Sequence, residues 1–185
     1  VSSDQVVEKE GNLFVGQSRN TIYTYKSGGV AQASDMAYLN TINFNGRNVN
    51  PGDLYIIDAD GSKTITEADK YVVGSTDPKF YGGFSTDLSY KGLEFNAVFN
   101  YSYGAKKLSP YYETIISSVG TGIASTDLLN AWTPENTNTN IPRVIGGYSY
   151  PRYGVGDSDY SVQSASFLRL SSLTLAYTLP GKLIQ

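Results

Sequence analysis

The sequence predicts an all-β protein made of antiparallel strands, and two observations support this fold class. Residues 80–90 and 93–104 form two runs in which apolar and polar side chains alternate, and Lys91-Gly92 separates them. Alternation with a period of two is typical of strands that have one apolar and one polar face. A two-residue connection with glycine in second place favours a primed turn, which joins neighbouring antiparallel strands.

The elements before this hairpin carry weaker signals. The best of them is the segment TIYTY, which alternates and includes β-branched side chains. The Ser-Gly-Gly run that follows is expected to end that strand. The predicted elements are, in order, strands at 6–7, 12–15 and 21–25, a break at 27–29, a short helix within 31–39, a polar loop at 54–69 and a strand at 71–74.

The register of the hairpin is set by both the turn and the side-chain pattern. A primed turn at Lys91-Gly92 pairs the residues on either side of it, and further pairs follow outward along both strands. In this register the two apolar faces coincide, and a slip by one residue would destroy the match. The predicted pairs are Tyr90 with Leu93, Leu88 with Phe95, and Phe84 with Phe99.

Residues 105–163 are predicted to form a long connection. They are rich in Ser, Thr, Asn, Gly and Pro. Only residues 111–118 or 125–131 suggest a short helix within them. Connections of this length are usually functional, so we expect this segment to contribute to the activity of the protein.

A last strand is predicted within residues 164–178, before the Leu179-Pro180 pair. Its apolar side chains change parity at Ser171-Ser172, so they cannot share one face of a regular strand. This change indicates either a β-bulge or a segment that is covered on both faces. The apolar residues before the change are Leu168 and Leu170, and those after it are Leu173, Leu175 and Tyr177.

Composition argues against several classes of function. The net charge of −3 and the pI near 4.9 argue against a nucleic-acid partner, because no basic stripe is available to neutralise phosphates. The chain has no His and no Cys, so the commonest general base and all thiolate metal ligands are missing. We therefore expect a protein that is not an enzyme. The 16 Tyr residues suit boundaries between apolar and aqueous surroundings.

The connections differ at the two ends of the predicted sheet. Tight turns at 91–92 and 179–180 contrast with the long connections 54–78 and 105–163. Transmembrane barrels have this asymmetry, and strands of about 11 residues can cross a bilayer when tilted. Aromatic residues also lie near both ends of the apolar face, as in the girdles of such barrels: Phe80, Tyr101 and Tyr103 at one end and Tyr90 at the other.

A soluble β-sandwich accounts for the alternation equally well, since one face of its sheet packs on a second sheet and the other is solvated. The alternative function is therefore that of a soluble, calcium-stabilised cell-surface β-domain that binds glycans through exposed Tyr side chains. The two interpretations differ in the surroundings of the apolar face of the hairpin. In a sandwich this face packs against the same chain, and in a membrane barrel it faces outward.

Residues 58–69 carry oxygen-bearing side chains at the spacing of a calcium-binding loop. Calcium prefers six to eight oxygen ligands, and this spacing lets one loop wrap around the ion. Lys63 stands where the pattern has Gly, and Asp69 is shorter than the usual Glu. A polar turn with solvated carboxylates is the other interpretation. The candidate ligands are the side chains of Asp58, Asp60, Ser62 and Asp69 and the backbone carbonyl of Thr64.

Four segments, in this order, resemble the SusC/RagA-type TonB-dependent outer-membrane transporters. Residues 52–80 resemble an extracellular segment of the family, and residues 80–104 are similar to the strand pair that follows it, including the Tyr-Lys-Gly turn. Residues 131–143, AWTPENTNTNIPR, match a family signature, and so do residues 164–180, SASFLRLSSLTLAYTLP. These segments cover most of residues 50–180.

The resemblance implies a fold and a function. Members are barrels of about 22 strands with an N-terminal plug, and they import oligosaccharides or peptides across the outer membrane. A SusD-like surface lipoprotein closes the barrel, and a TonB complex supplies energy through the plug. Residues 1–185 are then a sector of the C-terminal half of one barrel domain, in contact with outer-membrane lipid. The plug and the last strands lie outside it, and residues 54–78 and 105–163 are extracellular loops.

Overall fold

The computed structural model describes residues 6–8, 13–117, 122–145 and 158–179. The chain divides into two units. We call them the loop unit, made of Val1–Gly74 and Leu108–Gln163, and the sheet unit, made of Ser75–Lys107 and Ser164–Gln185. Among the described residues, every helix is too short or too polar to span a membrane.

Six short strands belong to the first part of the chain. They are β1 (Val6–Glu8), β2 (Leu13–Phe14), β3 (Thr21–Tyr25), β4 (Ser27–Val30), β5 (Leu54–Ile56) and β6 (Lys70–Ser75). β1 pairs with β2, β3 with β6, and β4 with β5. The strands predicted near 6–7, 12–15, 21–25 and 71–74 are therefore confirmed.

Two predictions for this part of the chain are wrong. Residues 27–29 were expected to end a strand, and residues 54–56 to belong to a polar loop, but they form β4 and β5. The pairing succeeds because Leu54 and Ile56 are almost completely buried. Gly28 also leaves room for the ring of Tyr55, which would lie 2.1 Å from a side-chain Cβ at that position.

The remaining strands are β7 (Phe80–Tyr90), β8 (Leu93–Tyr103), β9 (Lys106–Leu108), β10 (Val162–Ser164) and β11 (Phe167–Tyr177). β9 pairs with β10, and the three long strands form an antiparallel sheet in the order β11-β8-β7. Each of the three pairs predicted for the hairpin is present. Lys91 and Gly92 both take a positive φ, of 48° and 84°, which confirms the predicted primed turn.

The parity change in β11 is a β-bulge. Leu170 lies opposite Phe99 and Ser172 lies opposite Val98, so Ser171 is the extra residue. One extra residue shifts the alternation by one position. The leucines on both sides of the bulge therefore point to the same side of the sheet, the side of Phe99. One of the two explanations given for the parity change is thus confirmed.

The helices found among the described residues are short and lie in the loop unit. A 3-10 turn at Ala33–Asp35 leads into α1 (Met36–Leu39), as the sequence predicts. Both helical candidates of the long connection are also present, as α2 (Pro110–Ser117) and a 3-10 segment at Thr126–Asn130. Together with β9 and β10, they give residues 105–163 more regular structure than their composition indicates.

The described residues of the loop unit form two hydrophobic clusters. In the larger one, Phe44 and Ile65 are 2% exposed and Ile56 is 1% exposed. In the smaller one, Leu54 and Ile116 pack with partly buried aromatic side chains, including Trp132. β5 contributes to both clusters, since Ile56 belongs to the larger one and Leu54 to the smaller one. Burial of such side chains contributes about 1.5–3 kcal/mol each.

Gly52 occupies a position that no other residue fits well. Its φ is +88°, and its N–H and C=O bond to the backbones of Ala31 and Arg143. A Cβ at this position would lie 2.5 Å from the ring of Trp132 and 2.8 Å from the Cβ of Arg143. Glycine therefore allows residues 52–54 and the segment 131–143 to come into contact.

We predict that Gly52→Ala destabilises the loop unit by about 2–5 kcal/mol, because a left-handed backbone and an overpacked contact add together. Gly61→Ala is the matched control, since Gly61 has a φ of +74° but no atom near a Cβ. The control variant should lose only the stability that the left-handed backbone conformation costs an alanine, about 1–2 kcal/mol. Amide hydrogen exchange of the loop unit in the full-length protein measures both, and equal costs would disprove the proposed contact.

Candidate functional site

One face of the three-stranded sheet is apolar and exposed. Phe84 is 52% exposed and Leu88 63%, although Phe84 stacks on Phe99 with ring centroids 4.8 Å apart. A sandwich formed within the described residues would bury these side chains, whereas they are exposed. The large exposed side chains of this face are Phe80, Phe84, Leu88, Tyr90, Leu93, Tyr103, Leu168, Leu170, Leu173, Leu175 and Tyr177.

The opposite face of the sheet is mostly polar, although Tyr81, Val98 and Phe167 also lie on it. Asn96 donates a hydrogen bond to the carboxylate of Asp87, and Asn100 donates one to the Ser171 hydroxyl at 2.6 Å. Arg169 lies opposite Asn100 and therefore faces the same way. Exposed charges and amides are stable only next to water. The two faces of the sheet therefore require different surroundings, one apolar and one aqueous.

The dimensions of the apolar face match a membrane. Each of the three strands has 11 residues, which corresponds to about 33–37 Å of extended chain. At a tilt of about 40° the height is about 25–28 Å, close to the apolar band of outer-membrane barrels. Aromatic rings lie at both ends of the face: Phe80 stacks on Tyr103 at 5.0 Å, and Tyr90 and Tyr177 flank Leu93.

The candidate ion loop brings three of its predicted ligands together. Oxygens of Asp58, Asp60 and Asp69 lie within 4.8 Å of one another. Ca–O distances of 2.3–2.6 Å allow two ligands of one ion to be about 5 Å apart, so this spacing fits calcium. Lys63 takes a left-handed φ of 61°, so the backbone adopts the turn for which the pattern uses Gly.

The same carboxylates also organise the loop without an ion. Asp69 is 1% exposed and accepts backbone N–H groups of Ala59 at 2.7 Å, Asp60 at 3.3 Å and Thr66 at 2.7 Å. Hydrogen bonds from Ser62 hold the pKa of Asp60 below its usual value, which favours the charged form.

The other two predicted ligands, Ser62 and Thr64, bond to each other, because the Ser62 hydroxyl donates to the Thr64 carbonyl at 3.0 Å. That carbonyl keeps a second lone pair. The geometry is therefore compatible with calcium, and the calcium site stays a prediction.

The segment 131–143 is attached by polar side-chain contacts to Gln32 and Asp53, which flank β4 and β5. Trp132 donates its indole N–H to the Gln32 side chain at 3.0 Å. Within the segment, its backbone N–H donates to the Ile141 carbonyl at 2.9 Å. Arg143 makes two hydrogen bonds to the carboxylate of Asp53, at 2.8 and 3.2 Å. Such two-pronged pairs are among the strongest side-chain contacts. The matching family segment therefore has a structural role in the loop unit.

Asp159 forms a contact that the sequence analysis missed. Its carboxylate accepts the backbone N–H of Ser27 at 2.8 Å and the hydroxyl of Tyr71 at 2.5 Å. Burial and this hydrogen bond raise the pKa of Tyr71 to about 12, so the phenol remains a donor at neutral pH. The partners lie 132 and 88 positions away in the sequence, and no local pattern links residues at such distances.

Comparison with known proteins gives one consistent set of relatives, although no protein-family profile matches the chain. TonB-dependent receptor P3 of Formosa agariphila is 32% identical over 167 residues, which are 89% of this chain and 16% of the relative. TonB-dependent receptor SusC of Bacteroides thetaiotaomicron is 28% identical over 178 residues, 95% of this chain and 16% of the relative. The chain thus spans about a sixth of the length of these curated relatives.

Two solved structures share the fold. The RagAB peptide transporter has a TM-score of 0.57 and 24% identity, covering 88% of this chain and 17% of that chain. The RagAB peptide importer in its closed-closed state has a TM-score of 0.55 and 27% identity, covering 89% and 17%. The predicted barrel sector and the resemblance to the family are thereby confirmed. The chain belongs to the SusC/RagA-type TonB-dependent receptors, which are outer-membrane proteins.

Proposed function

We propose that this chain is one sector of the barrel of a TonB-energised importer that takes oligosaccharides or peptides across the outer membrane. The observation that carries the proposal is the three-stranded sheet with an exposed apolar face and a polar reverse. In a membrane barrel the apolar face contacts hydrocarbon and the polar face lines an aqueous lumen. The sheet meets both conditions with strands of the required length.

The edges of the sheet indicate the nearest partner. β7 and β11 are its outer strands, and each has one edge without a neighbour within the sheet. In hydrocarbon every unpaired backbone N–H or C=O costs several kcal/mol. The proposed function therefore requires the rest of the barrel to pair with both edges, and a plug to occupy the lumen. Outer-membrane lipid is the partner of the apolar face.

The long connections supply the external surface of the proposed importer. Residues 54–78 lead into the start of β7, and residues 105–163 follow the end of β8. Both of these strand ends lie opposite the Lys91-Gly92 turn. We assign them to the extracellular side, where a SusD-like lipoprotein closes the barrel. The TonB complex supplies energy from the other side, through the plug. The relatives carry the names of receptors and transporters rather than enzymes, which supports a function without catalysis.

The proposal includes a calcium ion in the loop formed by residues 58–69, with a stabilising rather than a catalytic role. Three carboxylates close together repel one another, and a divalent cation relieves that repulsion. The ion would be held by Asp58, Asp60 and Asp69, with the Thr64 carbonyl and Ser62 as further oxygen donors. The ion would cross-link the two ends of the loop, since Asp58 and Asp69 lie at its first and last positions.

We predict that Phe84→Arg destabilises the folded receptor in lipid bilayers by about 2–4 kcal/mol, because it places a charge in hydrocarbon. Ser85→Arg, the adjacent residue on the opposite face, should cost less than about 1 kcal/mol, since its side chain faces water. Urea titration of the receptor in phospholipid vesicles measures both. Equal costs, or a greater cost for Ser85→Arg, would refute the assignment of the two faces.

The import function predicts a conditional growth defect. Cells that lack the receptor should fail to grow on at least one oligosaccharide or peptide that the parent strain uses as sole carbon source. A strain without TonB should fail on the same compound, because the energy source is then missing. Growth curves over a panel of such compounds, with a complemented strain as control, provide the measurement. Unchanged growth on the whole panel would exclude the proposed import.

Calcium titration of the purified full-length receptor should reveal a site with a Kd of about 10⁻⁴–10⁻³ M, the range of extracellular calcium modules. Asp60→Asn should weaken it at least about tenfold with little change in the calcium-free fold, because this exposed carboxylate accepts few backbone hydrogen bonds. Glu135→Gln removes an equal charge outside the loop and serves as the control. Calorimetry that shows identical calcium binding for both variants would rule out this loop.

A further inference from the structure

The apolar face of the sheet ends in a group of polar atoms at the Lys91-Gly92 turn. Tyr90 on β7 and Tyr177 on β11 both lie opposite Leu93. Their backbones are therefore two strand spacings apart, about 9–10 Å. The two side chains are 69% and 56% exposed. The Lys91 ammonium lies 5.2 Å from the centroid of the Tyr90 ring. A cation and two phenol hydroxyls thus border one end of an otherwise apolar surface.

The positive charge of Lys91 is not neutralised within the part of the chain that the structure describes, where no carboxylate forms an ion pair with it. The acidic residues nearest to it along the two strands, Asp87 and Glu94, belong to the polar face of the sheet. The contact of Lys91 with the Tyr90 ring is exposed, and exposed cation–π contacts are weak. This charge is therefore available to an anion that approaches from the apolar side.

The two phenol hydroxyls are available in the same way. Among the described residues, no hydrogen bond uses the hydroxyl of Tyr90 or Tyr177. The backbone that carries them is fixed, because the Thr178 N–H donates to the Gly92 carbonyl at 2.7 Å and links β11 to the turn. A phenol has an apolar ring and a polar tip, so it suits the boundary between hydrocarbon and water. Donors that are held in place lower the entropy cost of binding.

The length of the strands places these groups at the level of lipid headgroups. In the proposed barrel, strands of 11 residues span the apolar band of the membrane. Lys91 is the first residue after β7, so it lies at the edge of that band. A lysine in such a place packs its alkyl stem on apolar surface and extends its ammonium to the aqueous boundary. The anionic groups that lipids present at this boundary are phosphates.

We infer that this end of the sheet binds the phosphate of a phospholipid with a net negative headgroup, through the Lys91 ammonium and the hydroxyls of Tyr90 and Tyr177. The ammonium pairs with the phosphate charge, and each phenol donates a hydrogen bond to a phosphate oxygen. The acyl chains of the same lipid lie along the exposed leucines of β11, Leu173 and Leu175. The inference rests on the proposed function, and it specifies a headgroup where that function requires only hydrocarbon.

The net charge of the headgroup matters because the site supplies a single cation. In a zwitterionic headgroup the phosphate is accompanied by a cation of the lipid itself, which competes with Lys91. A headgroup with a net negative charge has no such competitor. One lysine near an anionic lipid strengthens the association about fivefold.

The test is photo-crosslinking of the full-length receptor in phosphatidylcholine vesicles that contain a small fraction of phosphatidylglycerol with a photoreactive acyl chain. Peptide mass spectrometry measures the cross-links within residues 88–93 and 173–178. Lys91→Asn should lower their yield about fivefold. It should retain the fold, because Asn before Gly is favoured in a primed turn. Lys91→Arg keeps the charge and should keep the yield. Lys79→Asn, just before the other end of β7, is the matched control and should leave the yield unchanged.

Two further probes identify the source of the phosphate. Diacylglycerol with the same photoreactive chain has no phosphate, so it should label the two segments weakly and without dependence on Lys91. Excess inorganic phosphate should not reduce labelling by the phospholipid, because it lacks acyl chains. An unchanged yield for Lys91→Asn, equal labelling by diacylglycerol, or competition by inorganic phosphate would each overturn the inference.

Failure of the lipid site and failure of the proposed function give different results. If neither lipid probe labels the two segments, the apolar face does not contact lipid, and the proposed barrel fails together with the inference. If both probes label the segments equally, the apolar face does contact lipid. The proposed barrel then stands, and only the phosphate site is wrong.

Discussion

The hydrogen-bonded register of β7, β8 and β11 gives the sheet its two different faces. Side chains alternate between the faces of a strand, so the register decides for every residue whether it lies on the apolar or the polar face. The Lys91-Gly92 turn sets the register on one side of β8, and the bulge at Ser171 sets it on the other. Without that bulge, the leucines at the two ends of β11 would lie on opposite faces.

The loop unit depends on a different kind of interaction. Its hydrophobic clusters are small, and its segments are joined by buried or half-buried polar contacts between residues far apart in sequence. Asp159 joins β4 to β6, and the pair of Arg143 with Asp53 joins the segment 131–143 to the start of β5. Such contacts are effective because each carboxylate oxygen meets a donor, as burial requires. These contacts hold together a unit that is built from loop-rich sequence.

Prediction from sequence succeeded where the signal is local and failed where it is not. The hairpin, its turn, its register and the parity change of β11 were all predictable because alternation is a short-range property. β4 and β5 were not predicted, since a Ser-Gly-Gly run is typical of a break between strands. The reason for a strand here is not local: Gly28 leaves space for the ring of Tyr55. In the ion loop the sequence predicted the spacing of the carboxylates. It did not predict that Lys63 adopts the left-handed conformation for which the pattern uses Gly.

Consecutive residues alone specify the two-faced strands and their length, because the period and the length of each alternating run are local properties of the sequence. The four segments shared with the SusC/RagA family were also visible in it. Three features became clear only from the folded chain: the apolar face is exposed within the described residues, Asp159 accepts a hydrogen bond from Tyr71, and Gln32 lines one cleft together with Asn130 and residues 137–140. These features depend on contacts between residues that are far apart in the sequence. A local sequence pattern does not indicate which distant residues come into contact.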